Sequence, residues 1–397
     1  HNTYDELQVV EILSPSVDRI APFCEYFEVC GGCSLQNMLP DAQLLHKETV
    51  LKEQYAHFGQ VEVQHWLEPI KSASKAYRSK ARLGVYFDSS VNKTVIGFRE
   101  KQTKRLVDIQ ACPILDESIA RLVPHLHELV DTLAESKAIT HIELANSDDQ
   151  QAVVIRHIKA ISKPGIQRLQ AFAEKYSVRI YLQAEAGQQA EPLDNNASEL
   201  GYSISALDAQ GNKLKTLTLA FHPQDFTQVN DSVNQMLINR ALEQLKLKQS
   251  DKVLDLFCGL GNFTLPIALN CKQVVGIEGS TAMVSRATEN AKRNQLSNAQ
   301  FYSADLHADF RDTIWAKQTF DKILIDPPRA GALVVSNYLQ HFNAERIVYI
   351  SCNPATLARD AGVLSTHGYR LEASGVIDMF PNTAHIESIA VFVRQKK

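Results

Sequence analysis

The sequence predicts an α/β protein with a doubly wound, mainly parallel sheet in its C-terminal half and an α+β domain before it. From Phe221 onward, strand and helix patterns alternate to the end of the chain, which is the order found in parallel sheets. Between about residues 76 and 220, short alternating strands dominate, and two predicted helices, around residues 117–133 and 165–176, interrupt them. This pattern is typical of an α+β domain.

The N-terminal part adds two predicted elements. Residues 7–13 form a strand-like segment, and apolar residues at helical spacing predict a helix over residues 41–58, with Gly59 at its C-terminal end. Residues 183–200 are polar and contain Gly, Pro and Asn, which indicates a loop or hairpin. Together with the change of pattern at residue 221, these observations predict three units, over residues 1–20, 21–220 and 221–397.

The composition argues against two classes of protein. Hydrophobic residues make up 45% and charged residues 22% of the chain, which is ordinary for a globular protein. No apolar run approaches the length of about 18 residues that spans a membrane, so we expect no membrane partner. The seven cysteines are an odd number with one cluster, which fits a secreted disulfide framework poorly. We therefore expect a cytoplasmic protein, and a monomer.

The charge is distributed unevenly, although the net charge is only −4. Between residues 71 and 110 there are ten Lys or Arg against three acidic residues, and Tyr and Phe side chains lie among them. A basic segment with interspersed aromatic residues is typical of a surface that binds a polyanion. The alternative is a solvated β-surface with its usual lysines.

Four cysteines form a candidate metal or cluster site. Cys24, Cys30 and Cys33 lie close together, with two glycines between the last pair, and Cys112 lies far along the chain. Four thiolates can hold a tetrahedral zinc ion or an iron–sulfur cluster. Structural zinc sites usually present two compact pairs, and only Cys30 and Cys33 form one, so the spacing favours a cluster without settling the choice. A radical enzyme would need three cysteines and a barrel fold, which the fourth cysteine and the predicted sheet disfavour.

Seven strands are predicted in the C-terminal unit. The last two follow each other closely, which predicts an antiparallel pair at one edge of the sheet. Seven strands with this ending match the sheet of S-adenosylmethionine-dependent methyltransferases better than a six-stranded dinucleotide-binding fold. The predicted strands cover residues 252–257, 273–278, 300–304, 322–326, 346–351, 370–378 and 386–394.

A strand, a tight turn and the start of a helix follow one another over residues 253–264. Gly259 and Gly261 allow the backbone to approach a ligand closely, because they carry no Cβ. Thr264 stands where a pyrophosphate-binding fingerprint has its third glycine, which weakens a nicotinamide reading. Glu278 ends the next strand, where a carboxylate can accept both ribose hydroxyls, and Asp305 ends the third, within reach of an adenine edge.

A thiol is predicted at the carboxyl end of the strand over residues 346–351. Pro354 ends that strand and a helix pattern follows, so Cys352 lies where open α/β sheets bind their ligands. The thiol is either a nucleophile or a small buried apolar residue. Asp326 ends the preceding strand and Glu387 begins the last one, and both are candidates for the same cleft. The alternatives are a carboxylate that caps a turn and a solvated charge.

A cleft that holds a methyl donor, a thiol and a carboxylate suits methylation of uracil at carbon 5. That carbon is a poor nucleophile, because it belongs to an electron-poor enone. A thiolate added at carbon 6 gives an enolate whose carbon 5 can attack a methyl sulfonium, and a base must then remove the carbon 5 proton so that the thiol can leave. Cys352 and Glu387 would fill these two roles.

Together these motifs resemble the RNA (uracil-5-)-methyltransferase family, and most of all its branch that acts on 23S ribosomal RNA. The resemblance runs from about Pro22 to the C-terminus. Its most specific part is SCNPATLARD at residues 351–360, and the others are the four cysteines, FTQVN at 226–230, DLFCGLGN at 255–262, DPPRAG at 326–331 and HIE at 385–387.

The resemblance implies S-adenosyl-L-methionine as the methyl donor, a 4Fe-4S cluster on the four cysteines, Cys352 as nucleophile and Glu387 as base. Members of this branch begin with an RNA-binding OB-type (TRAM) barrel, of which only the last strand fits within residues 1–20. Two departures, Asp305 for Asn and Pro328 for Ala, do not touch the proposed chemistry. Besides the turn glycines, the implied cofactor contacts are Gln228, Phe257, Asn262, Glu278, Asp305 and Asp326.

Two other functions remain open on the sequence. A methyltransferase-like fold can serve as a non-enzymatic RNA-binding or assembly protein, and labelled methyl transfer distinguishes the two. Within enzymes, methylation of cytosine at carbon 5 or of uracil in another RNA, such as transfer RNA, uses the same cysteine adduct. Identification of the modified base and RNA separates these cases.

Overall fold

A computed structural model describes residues 9–184, 186–194, 199–208 and 211–395. Its strands form an eight-stranded sheet, a six-stranded sheet and a two-stranded hairpin. In chain order the strands are β1 (His65–Trp66), β2 (Lys80–Asp88), β3 (Lys93–Gly97), β4 (Ile139–Asn146), β5 (Gln151–His157), β6 (Val178–Gln183), β7 (Glu191–Pro192), β8 (Leu200–Leu207), β9 (Lys213–Phe221), β10 (Lys252–Leu256), β11 (Gln273–Glu278), β12 (Ala299–Ser303), β13 (Lys322–Ile325), β14 (Arg346–Ser351), β15 (Tyr369–Ile377) and β16 (Glu387–Arg394).

The eight-stranded sheet contains all seven strands predicted for the C-terminal unit, with ends shifted by no more than one residue. Its order is β1-β15-β16-β14-β13-β10-β11-β12. Strands β10 to β14 run parallel, whereas β16 lies between β14 and β15 and is antiparallel to both. The predicted antiparallel pair is therefore present, but β1 pairs with β15 in parallel and forms the edge in its place.

Helices cover both faces of this large sheet, as in other doubly wound folds. The helix predicted over residues 117–133 is divided in two, and Pro124 stands at the start of its second part. The helices are α1 (Pro40–Gln54), α2 (Glu117–Ala120), α3 (Val123–Asp131), α4 (Lys163–Tyr176), α5 (Asp231–Leu245), α6 (Thr264–Ala268), α7 (Thr281–Arg293), α8 (Leu333–Ser336) and α9 (Pro354–Thr366), with short 3-10 turns at Ser136–Ala138 and Leu339–Phe342.

Helix α1 belongs to the core of the large sheet, although it precedes the middle sheet in sequence. Leu51 and Tyr55 are buried there against α9 and β15, and the Tyr55 hydroxyl bonds to Ser374. The helix ends in a π-helical turn, Tyr55–Gly59, and Gln60 takes the left-handed conformation expected at Gly59. Gly59 serves a different purpose, because a Cβ there would lie 2.7 Å from the carbonyl oxygen of Ala358 in α9.

The middle sheet has the order β3-β2-β4-β5-β6-β7 and is antiparallel except for β5 and β6. One face packs on α3 and α4 through a core that includes Leu83, Ile142 and Ile155. The other face carries polar and charged side chains, among them Arg82 and Arg156. The hairpin of β8 and β9 packs against α5 and α7.

The described part of the chain begins within the segment predicted as an N-terminal strand. Residues 1–8 lie outside the described residues, and residues 9–13, the described part of the predicted strand, are not in a strand. Val9, Val10 and Leu13 are exposed, because no neighbouring strand in the described part pairs with them. No helix that the structure describes is long and apolar enough to cross a membrane.

Candidate active site

Cys352 lies directly after β14, at the carboxyl end of the strand, and is partly buried. Asn353 caps the helix that follows, because its side-chain oxygen accepts a hydrogen bond from the amide of Ala355 at 3.1 Å. Pro354 occupies the first turn of α9, where its missing N–H is not needed. The sequence thus forces a sharp strand-to-helix turn. The turn presents the thiol at the edge of the sheet that is formed by the carboxyl ends of the parallel strands, not at an outermost strand.

The turn after Cys352 is tied to the segment that follows β13. The Asn353 side chain donates to the carbonyl oxygen of Arg329 at 3.0 Å. Asp360 is fully buried and accepts bonds from the amide of Ala332 and the hydroxyl of Tyr349, both at 2.7 Å. These contacts tie the segment after β13 to the Cys352 turn, and Asp326 at the start of that segment lies close enough to raise the pKa of the thiol.

Glu387 reaches the same edge from a strand that runs in the opposite direction. Because β16 is antiparallel to β14, Ser388 pairs with Ser351, and the first residue of β16 lies next to Cys352. Glu387 is only 7% exposed, and its Oε2 has no hydrogen-bond partner among the described residues. A buried carboxylate oxygen without a partner is costly in a purely structural role and is typical of a functional site.

Burial disfavours the charged forms of all three acidic groups at this site, and neighbouring carboxylates add to the effect for Glu387 and Cys352. Burial raises the pKa of Glu387 to about 8, and Asp326 adds to this rise, while Lys47 and Arg329 oppose it. Burial also raises the pKa of Asp326 to about 7. The pKa of Cys352 is raised first by burial and then by the two carboxylates. The site therefore contains proton acceptors with pKa values near neutrality.

The glycine turn after β10 forms the second part of the site. Gly259 and Gly261 have positive φ angles of 56° and 92°, and Phe257 also has a positive φ, of 65°. A non-glycine residue in that region indicates local strain at a functional turn. The two carboxylate oxygens of Glu278 accept bonds from the amides of Gly259 and Ser280, at 3.2 and 3.0 Å, which fixes this carboxylate beside the turn.

Asn262 is held in a network that sequence reasoning missed. Its side-chain oxygen accepts bonds from the Tyr202 hydroxyl and the Asn234 amide, both at 3.1 Å, and its own amide donates back to Asn234 at 2.9 Å. Gln228 lines a polar cavity of about 240 Å³ with Tyr202, Asn234 and Asp231. No local pattern could have indicated Tyr202 or Asn234, since they come from a distant hairpin and from α5.

Asp305 is exposed at the turn after β12, and its carboxylate accepts a bond from the amide of His307 at 2.9 Å. The His307 ring lies 5.8 Å from the ring of Phe257, measured between centroids. Asp305 and Phe257 therefore border the same side of the glycine turn. The amide of Asp326 donates to Leu256 at 3.2 Å, which joins this part of the site to the Cys352 edge.

The four cysteines of the candidate cluster site come together in space. Cys24, Cys30 and Cys33 lie in residues 24–39, the cysteine loop, and Cys112 approaches them from the segment before α2. Burial raises the pKa of the Cys112 thiol to about 12, and the charges of Cys33 and Cys24 contribute. None of the four is in a disulfide. Gly31 lies against Arg99, where a Cβ would stand 3.0 Å from the carbonyl oxygen.

The fold and this edge of the sheet define the chain as an S-adenosylmethionine-dependent methyltransferase. The chain belongs to the tRNA (uracil-5-)-methyltransferase family, whose model matches residues 40–396. This confirms the resemblance given by the sequence motifs.

Similar proteins agree with that assignment. The chain is 45% identical to the 23S rRNA (uracil(1939)-C(5))-methyltransferase RlmD of Acinetobacter baylyi, over 98% of this chain and 84% of that protein. It is 44% identical to the RlmD of Alcanivorax borkumensis, over 99% and 87%. In fold it resembles the crystal structure of Pyrococcus abyssi tRNA (uracil-54, C5)-methyltransferase in complex with S-adenosyl-L-homocysteine, with a TM-score of 0.72, 23% identity and coverage of 96% and 88%.

Proposed function

We propose that this protein transfers a methyl group from S-adenosylmethionine to carbon 5 of a specific uridine in 23S ribosomal RNA, through a covalent cysteine–uracil adduct. The family supports the reaction, and the names of the similar proteins support the RNA. The observation that carries the mechanism is the meeting of Cys352 with the buried, unpartnered carboxylate of Glu387 at one edge of the sheet.

In this mechanism the Cys352 thiolate forms a bond to carbon 6 of the uracil, and the electron pair of the 5,6 double bond moves to the enolate. Carbon 5 then forms a bond to the methyl carbon as the bond from that methyl to sulfur breaks. Glu387 takes the proton from carbon 5, the double bond re-forms, and the Cys352 sulfur leaves carbon 6. A carboxylate with a pKa of about 8 is a stronger base than an ordinary glutamate and suits the removal of a carbon-bound proton.

The residues at the glycine turn suit the methyl donor. A close backbone approach at Gly259 and Gly261 leaves room for a ligand, and Glu278 is held where it can accept bonds from ribose hydroxyls. Gln228, Phe257, Asn262, Asp305 and Asp326 complete the proposed cofactor site. The bound donor supplies an electrophilic methyl group, and these residues would orient it toward carbon 5 of the uracil that is bonded to Cys352.

The proposed reaction is tested by incubating the protein with labelled donor and a 23S ribosomal RNA fragment, followed by nucleoside analysis. The expected product is 5-methyluridine at one position. Label in 5-methylcytidine would identify a cytosine enzyme, label in transfer RNA alone would identify another substrate, and RNA binding without any label would support a non-enzymatic protein.

We further propose that RNA follows a groove across the middle sheet. Two adjoining cavities, of about 930 and 650 Å³, share Arg82 and lead from the cysteine loop to Phe226, which is 71% exposed. Burial lowers the pKa of His141 in this groove, and the positive charges of Arg82, Arg156 and Arg99 lower it further. A groove with this positive field and an exposed aromatic side chain suits a single-stranded nucleic acid.

Charge reversal at Arg82 and Arg156 is expected to weaken RNA binding and to flatten its dependence on salt. Each lost phosphate contact should reduce the slope of log affinity against log salt by roughly 0.7 for single-stranded RNA. Lys80 is a poor choice for this test, because its Nζ is held by the carbonyl oxygen of Asp225 at 2.5 Å. Filter binding at several salt concentrations measures the effect.

Lys175→Glu provides the matched control, because Lys175 is exposed on α4, which covers the opposite face of the middle sheet. It should leave affinity and slope unchanged. If the variants with Arg82 and Arg156 reversed also bind RNA normally, the groove is a solvated surface and RNA takes another path.

We also propose that Cys24, Cys30, Cys33 and Cys112 hold a 4Fe-4S cluster. The four thiols converge, and the Gly32 amide donates to the Cys30 sulfur at 3.4 Å, as amides do around cluster sulfurs. Among the described residues no group of three or more His, Cys, Asp or Glu is arranged to hold a metal ion. This spacing is compatible with a cubic cluster, because such a cluster binds each thiolate through a different iron. Its cysteines therefore stand farther apart than the ligands of a single zinc ion.

Protein purified without oxygen is expected to be brown and to contain about four irons per chain. Cys112→Ser should lose iron and destabilise the region around the cysteine loop, whereas Cys271→Ser, which changes a buried thiol in the core of the large sheet, should keep it. Iron analysis, acid-labile sulfide and the visible spectrum give the result. Stoichiometric zinc without sulfide would contradict the proposal.

We propose that the protein acts as a monomer and that it works in the cytoplasm, where its proposed RNA is made. Sedimentation at several protein concentrations tests the first, and cell fractionation tests the second.

A further inference from the structure

We infer that the cysteine loop positions Glu387, through a hydrogen-bonded unit centred on Gln43 and Asn382. This inference rests on the proposed role of Glu387 as the base. The unit joins the cysteine loop to residues 378–386, which connect β15 to β16. We call residues 378–386 the base loop, because Glu387 follows them directly. Gln43 and Asn382 act through Glu387 and are therefore positioning residues, not catalytic ones.

The two loops bond to each other directly. The carbonyl oxygen of Asn382 accepts bonds from the amides of Ser34 and Leu35, both at 2.9 Å. The hydroxyl of Ser34 accepts a bond from the amide of Ala384 at 3.0 Å. Three hydrogen bonds thus connect the residues immediately after Cys33 to the residues just before Glu387.

Gln43 of α1 joins both loops with one side chain. Its amide nitrogen donates to the carbonyl oxygens of Leu35 and Met38 in the cysteine loop, both at 2.9 Å. Its oxygen accepts a bond from the amide of Asn382 in the base loop, also at 2.9 Å. Gln43 is 3% exposed, so water cannot replace these bonds easily.

The base loop is also fixed at its start and at its centre. One turn along α1 from Gln43, the fully buried Nζ of Lys47 donates to the Asp378 carboxylate at 2.7 Å and to the carbonyl oxygen of Phe380 at 3.1 Å. Asn382 is 2% exposed, has a left-handed φ of 65°, and donates through its side chain to Ser74 at 2.7 Å. These bonds restrict the conformations that the base loop can take.

Glu387 depends on this loop because little else holds its carboxylate. Its Oε2 has no hydrogen-bond partner in the part of the chain that the structure describes. The charged groups that act on it are Asp326, Lys47 and Arg329, with the Cys352 thiol beside it. The direction of the Glu387 side chain is therefore set by its backbone, which pairs with Ile377 of β15 and directly follows the base loop.

The test is Gln43→Met, which keeps the size of the side chain and removes its three bonds. We expect the variant to form the covalent complex with 23S ribosomal RNA and to transfer the methyl label to it, but to release product about 10- to 100-fold more slowly, which is part of the effect of losing a general base. Labelled complex that survives denaturation should accumulate. Amide exchange in residues 378–386 should become faster.

Gln235→Met is the matched control. The Gln235 side chain makes three similar bonds, two of them to the backbone of Ser205 and one to Asn239, and none of these three is to the cysteine loop or the base loop. It should lower the melting temperature to a similar extent and release product at the normal rate. Ser34→Ala, which removes a single bond at an exposed site, should shift release in the same direction as Gln43→Met but less, and it serves if Gln43→Met does not fold.

The outcomes separate two failures. If Glu387→Gln shows no trapped complex, the proposed base is wrong, and the inference falls with it. In the second case Glu387→Gln traps the complex, so the role of Glu387 stands. The positioning role of the cysteine loop is then refuted if Gln43→Met or Ser34→Ala, whichever folds, slows attachment and release equally. It is also refuted if that variant releases product as fast as Gln235→Met does.

Discussion

Cys352→Ala is expected to make no 5-methyluridine and to form no covalent complex with RNA. Without the thiol, carbon 6 cannot be attacked and carbon 5 stays too electron-poor to accept a methyl group. We expect the rate to fall at least about 10,000-fold, since removal of a nucleophile in a well-studied protease costs on the order of a million-fold. Methyl transfer from labelled donor and a denaturing gel measure the two losses.

Binding of S-adenosylmethionine should survive this change, because Cys352 lies after β14 and the glycine turn lies after β10. Cys271→Ala removes a buried thiol from the core of the sheet and serves as the control, with normal transfer expected. If Cys352→Ala still produces 5-methyluridine, the adduct mechanism is wrong.

Glu387→Gln is expected to stop the reaction later than Cys352→Ala does. The base acts only after methyl transfer, so the variant should still attack carbon 6 and accept the methyl group, yet release product roughly 100- to 10,000-fold more slowly. A protein–RNA complex that survives denaturation and carries the methyl label should accumulate. Glu372→Gln is the control. Glu372 lies on the neighbouring strand β15 and pairs with Arg346 of β14, and its variant should behave like the unchanged protein.

The pH dependence of release offers a second measurement on the same residue. Glu387 must be ionised to accept a proton, and its pKa is raised to about 8, so release should become faster as the pH rises through that value. Glu387→Gln should lose this dependence. If the variant turns over normally at every pH, another group is the base, and Asp326 is the next candidate.

Much of the large sheet is predictable because its signals are local. Each buried parallel strand is a short apolar run, and the turns after β10 and β14 are marked by glycine or proline. The same signals place Cys352 at the end of its strand. The family motifs then suggest roles for Glu387 and Gln228, which their own surroundings in the sequence do not reveal.

The remaining features depend on contacts between distant segments. In the sequence nothing distinguishes Lys47 from an ordinary helix lysine, yet it is fully buried against Asp378, more than 300 residues away. Lys80 falls in a basic segment that suggests a phosphate contact, but it bonds to Asp225. Glu387 resembles a solvated charge at the start of a strand, and it is buried because β16 inserts between β14 and β15. Strand order is not encoded in any short window.

The insertion of β16 also determines at which stage of synthesis the Cys352 thiol can form a covalent adduct with RNA. A growing chain emerges from the ribosome with Cys352 before Glu387, but β14 and β15 have no strand between them until β16 arrives. The edge that shapes the thiol is therefore completed by the same strand that brings the group needed for detachment. A chain that ends before β16 lacks both the completed surroundings of Cys352 and the Glu387 carboxylate. It is therefore not expected to leave ribosomal RNA permanently bonded to a truncated protein.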